Sequence, residues 1–395
     1  AQRKGMNVTQ IGIVFGVFEL VMFIFAPILG KYMCVIGSKF MFISGLFITA
    51  GTSILFGFLN LLDTGPMFFG YSLAIRCVEA IGDAAFLTSS FAISAYTFPG
   101  RIATVVGILE TFGGLGFTAG PAVGGLLFEL GGYQLPFIVL GALLGVAAVL
   151  SYFLLESPID QEMKNTQGMM SLLRIPLILL LVLAVVVCAM SLAFIDPTLA
   201  DHLDSFNLSP VLVGLMFLWC GGIYTITAPL WGYLIDRYNC APSLMVFGAI
   251  LAVFGMFFIG PPPFLGIEKS LFSIAAALVV LGIAIGALYI PTFQACLDTV
   301  KENGFPDNFE TYGCVSGLFQ SAFSFGGFFG PTVGGFAVEL IGFEWTTTII
   351  AGIHFLVALP LIAYNFISYR RRKKAKKTQP VMPVLSAPLL DTSGV

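Results

Sequence analysis

GFTAGPAVGGLLFELGGY occupies residues 116–133, and GGFFGPTVGGFAVELIGF occupies residues 326–343. The two align without a gap, 210 residues apart, and share Gly-Pro, Val, Gly-Gly and Glu-Leu. The first copy carries Gly116, Gly120, Pro121, Gly124 and Gly125; the second carries Gly326, Gly330, Pro331, Gly334 and Gly335. Glycine at every fourth position clears one helix face for close backbone approach. Proline removes one intrahelical hydrogen bond and permits a bend. A weaker match sets APILGKYMCVIG (26–37) against APLWGYLIDRYN (228–239). A duplication on this scale predicts two related halves. The weaker match pairs Ala1 with about Leu203, so the apolar run at 173–199 has no partner in the first half. The expectation is an all-α 6+6 helix bundle with its first helix missing.

Composition places that bundle in a membrane. Of the 395 residues, 58% are hydrophobic and 10% charged, with a mean hydropathy of +0.98. Soluble chains are about 45–50% apolar and about 25% charged. A soluble enzyme, a disordered chain and a nucleic-acid binder are therefore excluded, the last also by a net charge of only −3. Apolar runs punctuated by polar residues, Gly and Pro predict eleven spans. They fall at about 10–33, 38–60, 67–97, 102–128, 134–155, 173–199, 210–233, 241–263, 270–296, 312–338 and 343–367. The expected division is a five-span half (1–155), an inter-half loop (156–172), a six-span half (173–367) and a basic, disordered tail (368–395).

Lys31, Lys39, Arg101, Lys164, Arg174, Arg237, Lys301 and RRRKKAKK (370–377) fall on one side, against Arg3, Lys4 and Lys269 on the other. By the positive-inside rule the first side, with the C-terminus, is expected to be cytoplasmic. Sequons at Asn7 and Asn207 fall opposite. The seven Cys form no CxxC pair, and His202 and His354 are far apart, so neither a metal site nor a cofactor is expected. HExxH and GxSxG are absent, which speaks against an intramembrane enzyme.

The charges inside the spans carry the functional signal. Arg76, Glu79 and Asp83 lie within an arc of about 60° on one helix. Glu19, Glu110 and Asp196 lie in or near other apolar runs, the last beside Pro197, which is expected to break its helix. That makes five acids against one base, Arg76. Ionisable groups in lipid must face protein or water. An Arg76–Glu79 pair leaves four carboxylates to be answered by hydrogen bonds, protons or a cationic substrate. Asp83 and Glu110 are the first candidates for binding substrate or protons, then Glu19, Glu79 and Asp196. The rival reading is that each is a protonated structural acid.

Several motifs resemble those of the major facilitator superfamily. Gly116-x-x-x-Gly120-Pro121-x-x-Gly124-Gly125 matches its antiporter motif. RCVEAIGDAA (76–85) is similar to its R-x-x-Q-G-x-G-x-A pattern, with Glu79 replacing Gln and Ala80 replacing Gly. Of the motif G-x-x-x-D-R-x-G-R-K, the second half keeps Gly232, Asp236 and Arg237, a candidate cytoplasmic gate, while Cys34 and Val35 stand in the first half. GPTVGGFAVELIGFEW (330–345), FIDPTL (194–199) and VSGLFQSAFSFGGFFGP (315–331) resemble the vesicular amine transporter family, above all its polyamine branch. The resemblance implies alternating access and exchange of a small cationic amine for protons. It also implies a monomer in an intracellular vesicle membrane, with the plasma membrane as alternative. A drug or monoamine antiporter, or a transport-dead receptor or scaffold, are the other readings.

Overall fold

The computed structural model describes residues 6, 8–62, 65–156, 169–262, 265–266 and 269–378. Among them are twelve α-helices. The first half holds α1 (Val8–Ile36), α2 (Ser38–Phe58), α3 (Gly65–Thr97), α4 (Ile102–Gly131) and α5 (Gln134–Leu154). After α6 (Met169–Leu172), the second half holds α7 (Pro176–Leu203), α8 (Pro210–Tyr238), α9 (Ala241–Ile259), α10 (Leu271–Glu302), α11 (Phe309–Ile341) and α12 (Phe343–Thr378). A helix of 21 residues, such as α5, extends about 31 Å, the thickness of a bilayer core.

Ten helices among the described residues are long and apolar enough to cross a membrane. The sequence predicts eleven, and α11 makes the difference. Its Ser316, Gln320, Ser321 and Ser324 are buried against neighbouring helices. The first half of α11, enclosed by protein, has no need of an apolar surface, so the hydropathy of the helix falls without its leaving the bundle.

Local chemistry sets the helix ends. Ser209 and Asn308 cap α8 and α11, accepting from Leu212 N at 3.4 Å and Thr311 N at 3.0 Å. Gly132 and Gly342 end α4 and α11 with positive φ (69° and 86°). Their amides donate to Phe128 O at 2.8 Å and Val338 O at 2.9 Å. All four positions match across the 210-residue repeat, so the repeated sequence builds a repeated helix end.

Two expectations are corrected. Pro197 does not break its helix: α7 continues to Leu203. A proline forfeits only one backbone bond, and buried neighbours, with Thr198 Oγ1 bonded to Phe194 O at 2.6 Å, hold the chain helical. Nor does the tail begin at 368, because α12 runs on to Thr378; Lys, Arg and Ala are good helix formers. Arg3, Lys4, Asn7, Lys164 and residues 379–395 lie outside the described residues, as does most of the inter-half loop.

The halves repeat their packing. The pairs α1·α3, α2·α3 and α2·α5 in the first half match α8·α10, α9·α10 and α9·α12 in the second. Between halves, α1 packs on α11 and α8 on α4. One pair has no counterpart among the described residues: α7 lies along α11, and no helix lies in the corresponding place on α4. Phe112, Phe117 and Leu130 of α4 are accordingly exposed. Phe91 of α3 packs edge-on against Phe293 of α10 (5.1 Å) and also touches Phe319 of α11 (5.7 Å). Tyr96 of α3 packs on Phe309 (5.4 Å) and Tyr312 (6.4 Å) of α11. These rings close the bundle at the end that carries Lys31, Lys39, Arg101 and Lys301, called the basic end below.

Candidate transport site

Arg76 and Glu79 form the predicted pair, Nη1 to Oε2 at 2.9 Å, one turn apart on α3. The guanidinium is boxed by Phe56 (4.8 Å), Phe18 (5.7 Å) and Phe15 (5.8 Å). Aromatic faces are negative, so three rings and one carboxylate stabilise a cation there. Asp83 shares the α3 stripe and lies within electrostatic reach of Glu79 and of Glu19 on α1. It has no ion pair among the described residues. Glu19 Oε2 is buried without a hydrogen bond and packs against Gly327, with Ser324 facing it. The fold thus brings Glu19, Glu79 and Asp83 together from two facing helices, with the one base, Arg76, paired to Glu79.

Glu110 and Asp196 stand apart from that group. On α4, Glu110 meets the second half, where Tyr224 Oη donates to Glu110 Oε2 at 2.7 Å. Asp196 is exposed on α7, with Cys220 nearby. Sequence reasoning missed Tyr224. A tyrosine inside the apolar run GGIYTITAPL was the available signal; its partner, 114 residues away, was not legible. Also missed were the rings around Arg76 and the buried contact of Ser191 Oγ with His354 Nε2 at 2.7 Å.

Asp236, at the end of α8, crosses to the first half. Its carboxylate accepts from Ala103 N at 3.3 Å and Thr104 N at 2.7 Å, in the first turn of α4. Amides in a first turn have no intrahelical partner and carry positive potential, so an acid there is stabilised. Arg237 is exposed beside it and makes no ion pair among the described residues. In the repeat, Cys34 takes Asp236's place and faces α11. There α11 begins earlier, at Phe309, with its own cap from Asn308. The amides opposite Cys34 are already inside a helix, so no acceptor is needed.

The two glycine motifs behave differently. A Cβ on Gly330 would sit 2.5 Å from Met190 O, and one on Gly326 2.3 Å from Val186 O, both on α7. Gly334 abuts Phe194. Gly116, Gly120, Gly124, Gly125 and Gly335 have open space within 4 Å. The first motif therefore does not act as a packing face among the described residues, because no helix lies against it there. Pro121 and Pro331 lie inside continuous helices.

Comparison with known proteins agrees with this architecture. The profile of the Major Facilitator Superfamily matches residues 1–306 and again 181–391. The mouse MFS-type transporter SLC18B1 is 39% identical over 384 residues, covering 96% of this chain and 83% of its own. The human synaptic vesicular amine transporter is 27% identical, over 88% of this chain and 65% of its own. Among solved structures, that of the human organic anion transporter MFSD10 (TETRAN) superposes with a TM-score of 0.72 at 19% identity. It covers 89% of this chain and 83% of that one, a likeness of fold. A family profile matched along most of the chain and near-full-length relatives at 39% identity lead to one conclusion: the chain belongs to the Major Facilitator Superfamily, as a membrane transporter related to the vesicular amine transporters and not an enzyme.

Proposed function

We propose that the protein is a proton-coupled antiporter of organic cations, polyamines first among them, working by alternating access between its two halves. The observation that carries the reading is the Glu19, Glu79 and Asp83 group, in which, among the described residues, only Glu79 has an ion pair, to Arg76. Carboxylates held inside a helical bundle are stabilised by protonation or by a bound cation. A site that alternates between the two exchanges one for the other. Phe15 and Phe18, one turn or less from Glu19 on α1, add faces on which an ammonium can rest. In the proposed cycle, protons from the acidic side neutralise these carboxylates, the amine leaves, and the halves rock. The relatives named as vesicular amine transporters support an amine as cargo and a vesicle membrane as location. The Lys and Arg asymmetry supports a cytoplasmic basic end and C-terminus.

The test is uptake by the purified protein in liposomes, using spermine, spermidine, serotonin and acetylcholine, with and without an inside-acid gradient. Gradient-dependent accumulation of spermine or spermidine is expected. Accumulation of serotonin alone would move the protein to the monoamine reading. Absence of transport for every cation would leave the scaffold reading.

A further inference from the structure

Tyr224 and Glu110 belong to different halves, and their hydrogen bond lies inside the α4·α8 contact. On one side of it a Cβ on Gly107 would sit 2.6 Å from Ala228 O; on the other, one on Gly114 would sit 2.2 Å from Thr225 Oγ1. Thr111 Oγ1 adds a second bond across the halves, to Thr225 O at 3.3 Å. The helices thus approach closely above and below the carboxylate, where Gly107 and Gly114 have no side chain to hold them apart.

The groups facing Glu110 are Tyr224 from α8, Tyr289 from α10 and Cys188 from α7. Helices α3 and α5, also packed on α4, present no titratable group to it among the described residues. None of the facing groups is a base. An ionised Glu110 is therefore held by Tyr224, and a hydrogen bond to a charged acceptor is roughly twice as strong as a neutral one. This environment differs from that of Glu19, Glu79 and Asp83, which lie on two helices of one half, with Arg76 paired to Glu79.

The geometry points to Glu110 and Tyr224 as a proton-operated latch between the halves, distinct from the cation-binding group at Glu19, Glu79 and Asp83. The inference rests on the antiport reading for its place in the cycle. With Glu110 ionised, the bond to Tyr224 holds α8 against α4 in the arrangement described here, closed at the basic end. When a proton adds to the Glu110 carboxylate, the bond loses its charge and weakens, and α8 can shift along α4. The proton leaves to the other compartment once the halves have rocked. Tyr224 is a positioning residue in this scheme: it acts through Glu110 and does not touch the cargo.

The experiment needs no substrate in its first arm. Cys314 is buried at the closed basic end. Maleimide labelling of Cys314, mapped by peptide mass spectrometry on the reconstituted protein and divided at each pH by its rate in the denatured chain so that the thiolate fraction cancels, reports opening there. This normalised labelling in the wild type is expected to rise severalfold between pH 7.5 and pH 5.5. Glu110→Gln should show normalised labelling that is independent of pH. Tyr224→Phe, which removes the donor to the anion, should move the midpoint upward by about one pH unit. Wild-type labelling that ignores pH, a Glu110→Gln variant that follows it as the wild type does, or an unmoved midpoint in Tyr224→Phe would each overturn the latch. The second arm is gradient-driven spermidine uptake, in which the Tyr224→Phe profile should shift by the same amount. If labelling behaves as expected while the wild type transports no cation, the antiport reading fails and the latch between the halves stands.

Discussion

Asp236 and Thr104 lie in different halves of the molecule, and Asp236 Oδ2 accepts a hydrogen bond from Thr104 N at 2.7 Å. With Ala103 N at 3.3 Å on the other oxygen, one carboxylate closes the first turn of α4 from outside its own half. It is placed there by Gly232, whose missing side chain lets α8 reach α4: a Cβ would sit 2.3 Å from Ala103 O. At the equivalent crossing Gly30 does the same against Gly313, but Cys34 supplies no charge. The basic end is therefore held by the Asp236 clip on one side and by the close Gly30–Gly313 backbone contact on the other.

Removing that clip should open the basic end. Asp236→Ala is expected to cost about 1–2 kcal/mol of helix-capping energy in the closed arrangement only. Maleimide labelling of Cys314 should then accelerate roughly tenfold at pH 7.5, while Asp236→Asn, which retains an acceptor, should label at an intermediate rate. Unchanged labelling in Asp236→Ala would show that the aromatic layer of Tyr96, Phe309 and Tyr312 closes this end unaided.

Gly330→Leu and Gly120→Leu occupy matching positions in the repeat but should differ in effect. At Gly330 a side chain drives into Met190 O, and overpacking of this kind costs about 1–3 kcal/mol. A lower melting temperature and reduced monodisperse yield in detergent are expected. At Gly120 a side chain meets open space, so the melting temperature of this chain should stay within a degree of wild type. Equal losses would mean that α4 carries a contact that the described residues do not contain.

In the carboxylate group, Asp83→Asn keeps size and hydrogen bonding but removes the charge. It is expected to abolish proton-driven uptake at near-normal expression. Glu79→Gln should be milder, because Asp83 and Glu19 remain. Arg76→Ala should be worse than Glu79→Gln: it leaves Glu79 poorly solvated and without its 2.9 Å partner. Full, pH-dependent uptake by Asp83→Asn would reduce Asp83 to a structural acid and move the substrate role to Glu19.

Asp307, in the loop before α11, offers a pH test away from the membrane. Burial alone would raise its pKa. Hydrogen bonds from Lys301, with Nζ at 2.8 Å, and from Tyr312 instead hold the carboxyl below its ordinary value of 3.8. A lowered pKa stabilises the fold above the ordinary value, and that contribution is lost as pH falls through the lowered one. With 61% of the side chain exposed, the effect should stay below about 1 kcal/mol. Asp307→Asn should melt slightly lower than wild type at pH 7, and the gap should narrow as the pH falls below 3.8. A gap that does not narrow on acidification would mean that the carboxylate's charge is not the cause.

Much of the fold was legible because it depends on short-range chemistry. Apolar run length set the helices, and the 210-residue repeat set the relation of the halves, while the glycines at 132 and 342 that end α4 and α11 were recognised only in the structure. The Arg76–Glu79 pair was legible for the same reason: residues three apart on a helix meet wherever that helix goes. Pro197 was misread because local propensity is weak beside the burial of Phe194 and Leu199 around it. The low hydropathy of α11 reflects its neighbours and not a shorter helix.

Sequence alone, then, determined a helical membrane bundle with two related halves and an excess of embedded acids. Tertiary structure decided how those acids divide. It placed Glu19 beside the α3 stripe, gave Glu110 to Tyr224 of the other half, and left Asp196 exposed. It also gave one glycine motif a partner in α7 and none to its twin among the described residues. Helix periodicity fixes which residues share a face, but what that face meets depends on helices one or two hundred residues away, and no local pattern encodes that distance.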